Sequence, residues 1–93
     1  MGKEIIATKG NLKCIYRLIE HDLYLKGVPT QDYYSMLSKI KQKGALKSST
    51  ASEGWIKITF IDDIPIKDLE TTFFSAMIDA LKVSKFQVEI KSI

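Results

Sequence analysis

The stretch that decides the fold spans residues 27–61 and reads GVPTQDYYSMLSKIKQKGALKSSTASEGWIKITFI. It opens on a glycine–valine–proline turn, where Pro29 disfavours helical geometry in the residue before it. A helical pattern follows and stops at Gly44, and two β-prone segments then flank a polar loop. The order predicted for this stretch is therefore a helix followed by a β-hairpin.

The predicted helix covers residues 30–43. Thr30 suits the N-cap, and Asp32 suits the first turn, where the helix dipole favours negative charge. The apolar residues that recur at helical spacing, and are expected to be buried, are Tyr33, Met36, Leu37 and Ile40. Lysines near the C-terminal end complement the dipole at that end.

The predicted hairpin consists of a strand over 45–49, a polar loop over 50–54 and a second strand over 55–61. The second strand alternates, so that its two faces differ in character. One face carries Ile56, Ile58 and Phe60, and the other carries Trp55, Lys57 and Thr59. The sequence therefore predicts a half-buried hairpin directly after the helix.

The flanking segments complete a small two-layer domain. A strand is predicted over 3–8, and a first helix over 11–26 with Asn11 as N-cap and Gly27 as C-cap. The helical spacing of that segment is carried by Leu12, Ile15, Tyr16, Ile19 and Leu23. The predicted buried face of a third helix, which begins near Pro65, is Leu69, Phe73, Met77 and Leu81, flanked by Phe74 and Ile78.

A last alternating strand is predicted over 86–91. The predicted fold class is therefore α+β, with the element order β-α-α-β-β-α-β and helices packed on one face of an antiparallel sheet. The 93 residues are expected to form a single domain.

Composition bounds the function classes. No apolar run approaches the length that a membrane span needs, and the N-terminus lacks the pattern of a secretory signal, so a cytoplasmic protein without membrane contact is expected. The net charge of +3 is uneven, because residues 1–54 carry a net +4 and residues 55–93 a net −1. The basic excess is densest around Lys39, Lys41, Lys43 and Lys47.

Residues that would carry catalysis are sparse. Cys14 is the single cysteine and His21 the single histidine, and in a helix they would lie two turns, about 10 Å, apart. Asp62 and Asp63 are adjacent in a turn, and no glycine-rich phosphate loop or zinc spacing is present. The sequence therefore predicts a protein that is not an enzyme, with no catalytic residue, metal site or cofactor.

The segment of residues 15–61 resembles the winged helix-turn-helix domains of bacterial regulators of the GntR and MarR families. The resemblance is carried by Gly27-Val28, then Leu37, Ile40 and Gly44 ahead of the hairpin. It implies a winged-helix-like fold, a recognition helix over 30–43, a wing over 45–61 and a role in transcription regulation on duplex DNA.

Physical reasoning about the helix leads to the same candidate interface. A helix that reads a groove buries one side and offers polar side chains on the other, where glutamine pairs with adenine edges and lysine with phosphate or guanine. The outward residues predicted to contact DNA are Thr30, Gln31, Tyr34, Ser35, Ser38, Lys39, Lys41 and Gln42, joined by Lys47 and Lys57 on the hairpin.

A protein-binding role is the alternative. The same domain could be an inhibitor, an immunity protein or an accessory protein of a phage or mobile element. Trp55 could stack on a base or anchor a partner, or could cover the edge of the sheet. The third helix carries apolar residues beyond one stripe, so a homodimer is expected through Phe73, Phe74, Met77 and Ile78.

Overall fold

The computed structural model describes residues 2–93 and shows a small α+β domain with a six-stranded antiparallel sheet. In chain order the elements are β1 (Gly2–Lys9), β2 (Leu12–Ile19), β3 (Asp22–Lys26), α1 (Thr30–Gln42), β4 (Leu46–Ser52), β5 (Trp55–Phe60), α2 (Ile66–Leu69), a π turn (Glu70–Phe74), α3 (Ser75–Val83) and β6 (Gln87–Ser92). Among these residues, no helix is long and apolar enough to cross a membrane.

The strands follow the spatial order β4-β5-β3-β2-β1-β6. The first three strands form a meander, and α1 then carries the chain to β4 at one edge. β5 returns between β4 and β3, and the second helical segment leads to β6 at the other edge, beside β1. The helices pack on one face of this sheet, and the other face, called here the open face, bears no helix of the described residues.

The helix predicted over 11–26 is wrong, because this segment forms the hairpin of β2 and β3. On β2 the buried side chains are Cys14, Tyr16 and Leu18, which alternate as a strand requires. Ile15 and Ile19 lie on the open face of the same strand. Because apolar residues occupy both faces of β2, their spacing in the sequence resembles that of a helix.

The turn between β2 and β3 also lacks the usual sequence signal. Its two loop residues are Glu20 and His21, and Glu20 adopts a left-handed φ of 54°. Hairpin turns of this kind usually place Gly, Asn or Asp at such a position. The element order is consequently β-β-β-α-β-β-α-β, and no helix of residues 2–29 precedes α1.

The helix-then-hairpin order of residues 30–60 is confirmed. Pro29 rather than Thr30 occupies the N-cap position, and no side chain caps the helix there. β4 extends to Ser52, so the loop shrinks to Glu53-Gly54, and both residues take the positive φ typical of a type I′ turn. Only Ile40 of the predicted helix stripe is fully buried, while its other members are half-buried against the core.

The segment after Pro65 is helical as predicted, but the π turn shifts its buried face. The wider turn moves Phe74 into the core after Leu69, whereas Phe73 stays half-buried with its ring 5.1 Å from that of Phe60. Met77 follows in the core, and Ile78 packs against it. Phe74 and Met77 of the predicted homodimer surface are thus buried within the chain and Phe73 and Ile78 are half-buried, and the homodimer itself stays a prediction.

Gly27 joins β3 to α1 and has a structural role other than the helix cap predicted for it. Its φ is +73°, and a Cβ there would lie 2.3 Å from the carbonyl oxygen of Lys13. A side chain would therefore collide with the backbone of β2. The thiol of Cys14 donates to the carbonyl of Gly27 at 3.5 Å and adds a second contact at this junction.

Candidate nucleic-acid interface

The outward side of α1, called here the polar face, presents most of the predicted contact residues together. One broad, shallow concave surface is lined by Thr30, Gln31, Tyr34, Ser35, Ser38, Lys39 and Gln42. Tyr34 is the most prominent aromatic group, with 61% of its surface exposed and its ring 5.2 Å from that of Tyr33. Tyr33 itself turns inward, and its hydroxyl lies 2.8 Å from that of Ser49 on β4.

The C-terminal end of α1 carries positive charge that no carboxylate of the described residues neutralises. Lys39 and Lys41 lie in the last turn and Lys43 follows it, all three exposed. No ion pair within residues 2–93 involves any of them. The helix C-terminus stabilises these cations, and their charge stays available to an anionic partner.

The two predicted hairpin lysines do not join this surface in the same way. Lys47 lies on β4 where the pairing with β5 is irregular, and its ammonium is 3.4 Å from the carboxylate of Asp62. Lys57 points to the open face, so the sheet separates it from α1. The structure therefore brings together the predicted helix residues other than Lys41 on one surface, and it places Lys57 outside that surface.

The open face has a different chemistry, which rests on residues that the sequence interpretation missed. Register places Arg17, Tyr24 and Lys57 in one row across β2, β3 and β5, and Lys26 beside Trp55 in the next row. The guanidinium of Arg17 lies 4.9 Å from the Trp55 ring centre, and the ammonium of Lys26 lies 5.2 Å from it. Trp55 is therefore half-buried between two cations.

Most cations of the open face are paired with carboxylates. Arg17 pairs with Glu4, whose side chain is nearly buried on neighbouring β1. Lys57 is 3.9 Å from Asp22, and that carboxylate also accepts a hydrogen bond from Thr59 at 3.0 Å. At the β6 edge, Lys91 and Glu89 are 3.6 Å apart. The face thus combines aromatic and apolar groups with three paired cations, whereas Lys13 and Lys26 have no carboxylate partner within residues 2–93.

The residues considered as candidates for catalysis or metal binding lie apart in the structure. Cys14 is buried on β2, and burial raises the pKa of its thiol. His21 lies in the β2–β3 turn, where its Nε2 donates to the carbonyl of Ile64 at 2.8 Å. No group of three or more His, Cys, Asp or Glu side chains within residues 2–93 could hold a metal ion.

An alternation-based interpretation of residues 12–26 would have paired Arg17 with Tyr24 on one face of a hairpin, whereas the pairing of β3 with β5, which brings this face beside Trp55 and Lys57, is a tertiary contact. Comparisons of the chain with protein-family models, curated proteins and solved structures find no match. The two surfaces themselves are therefore the features that bear on function.

Proposed function

We propose that this chain is a non-catalytic protein that binds duplex DNA through the polar face of α1. One observation carries the proposal: no other part of residues 2–93 covers this face, and the three lysines at the C-terminal end of α1, of which Lys39 lines the face, have no acidic partner among these residues. Uncompensated lysines attract a polyanion because each phosphate contact releases condensed counterions. A cytoplasmic role in transcription regulation is the corresponding biological proposal.

The part of the winged-helix pattern that supports this role is the unit of α1 and the β4–β5 hairpin. A helix lying on a sheet can enter the major groove with its outward side, as recognition helices do. Gln31 and Gln42 offer paired donor and acceptor groups to base edges, while Lys39 and Lys41 suit phosphates. Lys47, on the strand that follows α1, adds a contact to the DNA backbone when its exposed pair with Asp62 opens.

The test is fluorescence anisotropy with a labelled duplex across a salt series. With three or four phosphates neutralised, affinity should fall by about 40- to 150-fold between about 50 and 200 mM salt. A dissociation constant in the micromolar range is expected at the low-salt end. Binding no tighter than millimolar at low salt contradicts the proposal.

Charge reversal on α1 locates the surface. Lys39→Glu with Lys41→Glu should abolish measurable binding and flatten the salt dependence, because both lysines are exposed in the last turn of α1. Lys13→Glu with Lys26→Glu is the matched control, since it makes the same charge change on the opposite side of the sheet. Equal loss in both variants would show that net charge, rather than the polar face, governs binding.

A protein partner at the open face is the second candidate, favoured by the paired charges there. Trp, Tyr and Arg dominate the energetics of protein interfaces, and Trp55, Tyr24 and Arg17 lie together on this face. Affinity purification with wild type and Trp55→Ala tests it. A stoichiometric, nuclease-insensitive partner retained by wild type and lost by Trp55→Ala supports this role, and equal recovery by both opposes it.

A further inference from the structure

A groove of about 290 Å³ lies between α1 and the helical segment that contains α3. The two helices cover the same face of the sheet without packing closely against each other, so the sheet itself forms the floor. Tyr16 and Leu23 make that floor. Met36 and Ile40 line the α1 side, and Met77 and Leu81 line the α3 side. The groove is therefore apolar along most of its length.

Small side chains keep the groove open. Ala76, Ala80 and Ser84 recur every four residues on the side of the helix that lines it, and Ser35 lines it from α1. Larger side chains at these positions would bring the two helix surfaces into contact, as in ordinary helix packing. Small residues at positions 35, 76, 80 and 84 therefore leave room for the groove.

The hydroxyl of Tyr16 gives this gap a polar anchor. Tyr16 is only 3% exposed, yet its hydroxyl makes no hydrogen bond to any nitrogen or oxygen of residues 2–93. Besides burial, a hydrogen bond with the Cys14 thiol contributes to the raised pKa of this hydroxyl, but sulfur is a weak hydrogen-bonding group and the thiol also donates to the carbonyl of Gly27. No side-chain oxygen of the described residues is sealed from solvent without a partner, so the hydroxyl opens into the groove that Tyr16 lines.

A carboxylate accompanies this hydroxyl. Asp32 lines the groove from the first turn of α1, close enough to act on Tyr16 electrostatically. Burial, with added effects from Cys14 and Asp32, raises the pKa of the Tyr16 hydroxyl. The phenol therefore remains protonated and donates, while the carboxylate accepts. One ligand hydroxyl could satisfy both groups, because it accepts a hydrogen bond and donates another.

We propose that the groove binds a small apolar molecule bearing one hydroxyl, with its hydrocarbon body between the helices and its hydroxyl directed to Tyr16 and Asp32. An engineered apolar cavity of about 150 Å³ admits benzene, so a groove of about twice that volume suits a bicyclic ring system. The mostly apolar lining with a few convergent polar groups is the usual composition of a small-molecule site. The proposal does not rest on DNA binding, although Ser35 and Lys39 line both the groove and the polar face.

The test titrates the full chain with 1-naphthol, a bicyclic alcohol of this size. Two-dimensional amide NMR monitors the binding. Binding with a dissociation constant on the order of 0.1–1 mM is expected for a ligand this small. The shifts should concentrate on residues 32–40, residues 73–84 and Tyr16. Shifts confined to the open face, or no saturable shift, would overturn the proposal.

Two variants test separately the contribution of the Tyr16 hydroxyl and the contribution of the apolar groove to ligand affinity. Tyr16→Phe keeps the ring and should weaken 1-naphthol about 5- to 10-fold, the worth of one net hydrogen bond. Indole is the matched probe, because its N–H donates but its ring offers no acceptor for Tyr16, so its affinity should change less than about twofold. If Tyr16→Phe weakens the affinity for both probes to the same extent, or for neither, the role given to the hydroxyl is contradicted.

Ala80→Phe should fill the groove and abolish binding of both probes. Val83→Phe adds the same ring to an exposed position of α3 and should leave both affinities unchanged. Thermal unfolding of each variant confirms that the domain is folded before titration. Undiminished binding by a folded Ala80→Phe variant would overturn the location of the site.

Discussion

The two sides of the sheet carry their cations in different ways. On the polar face of α1, Lys39 and Lys41 stand on a single helix, and no carboxylate of the described residues pairs with them. On the open face, Arg17 and Lys57 come from separate strands, and each has an acidic partner on a neighbouring strand. An unpaired group of cations suits a polyanion, whereas paired charges around aromatic rings suit a protein surface.

The comparison shows that composition alone does not assign a binding surface. Both sides contain lysines and an exposed or half-buried aromatic residue, Tyr34 on one and Trp55 on the other. What differs is the position of the carboxylates, which strand pairing sets. Variants on each side of the sheet test this difference.

The largest contrast is expected within β5. Phe60 is fully buried under the helices, so Phe60→Ala should cost about 3–5 kcal/mol of unfolding free energy through lost burial and a residual cavity. Trp55→Ala, at the other end and on the other face of the strand, should cost about 1–2 kcal/mol because the ring is only half-buried. Urea denaturation followed by circular dichroism measures both. Equal losses would mean that the open face contributes to the core as much as the helix side does.

Gly27, which joins β3 to α1, provides the second test. Gly27→Ala should cost about 2 kcal/mol or more, because a left-handed φ combines there with a backbone collision. Gly44→Ala is the matched control, since Gly44 has a φ of +67° but open space around it, and about 1 kcal/mol is expected. Thermal melts distinguish the two. A Gly44 variant as unstable as the Gly27 variant would show that φ alone, and not the approach to Lys13, limits position 27.

The third prediction concerns alkaline pH and the helix side of the sheet. The pKa of Tyr16 is raised in the folded state, so its contribution to stability is complete below the ordinary tyrosine pKa of 10.0. Above that pH the unfolded chain ionises first, and stability should fall by about 1.4 kcal/mol for each pH unit until the folded-state pKa is reached. Urea midpoints between about pH 9 and 11 measure the slope.

Tyr16→Phe should remove this part of the slope. Tyr24→Phe, which deletes a hydroxyl from the open face, is the matched variant. An unchanged alkaline slope in Tyr16→Phe would contradict the burial assigned to that hydroxyl.

The smallest effect is expected on the open face. Arg17→Met leaves the nearly buried Glu4 carboxylate without its cation, and about 1 kcal/mol should be lost, because the partly exposed Arg17 side chain is screened by solvent. The double variant Glu4→Gln with Arg17→Met should recover part of that loss, because it removes the unpaired carboxylate charge of Glu4. Additive losses in a double-mutant cycle would show that the two groups do not interact.

The sequence predicted the helix of residues 30–42 and the strand of residues 55–60 because their patterns are local. One apolar stripe, one preceding proline and one following glycine bound the helix, and strict alternation marks the strand. The polar residues of α1 could be chosen for the same reason, since burial of Ile40 fixes which side faces outward. Lys57 could be placed beside Trp55 by alternation, but not relative to α1.

Residues 12–26 could not be assigned in this way. Their apolar side chains point to both faces of β2, and the Glu20-His21 turn carries no glycine or asparagine. The π turn is likewise invisible in a stripe spaced by four residues, although it decides that Phe74 rather than Phe73 enters the core. Both outcomes depend on contacts made by distant parts of the chain.

By itself, the sequence determined the α+β class, the helix-then-hairpin unit and the lysine-rich side of α1, because periodicity and charge are properties of neighbouring residues. The tertiary structure alone decided which strands are adjacent, and with them the pairing of Arg17 with Glu4 and of Lys57 with Asp22. It also decided that Tyr16 lies beneath a gap between two helices. Strand order and helix spacing follow from the packing of the whole core, so no local pattern contains them.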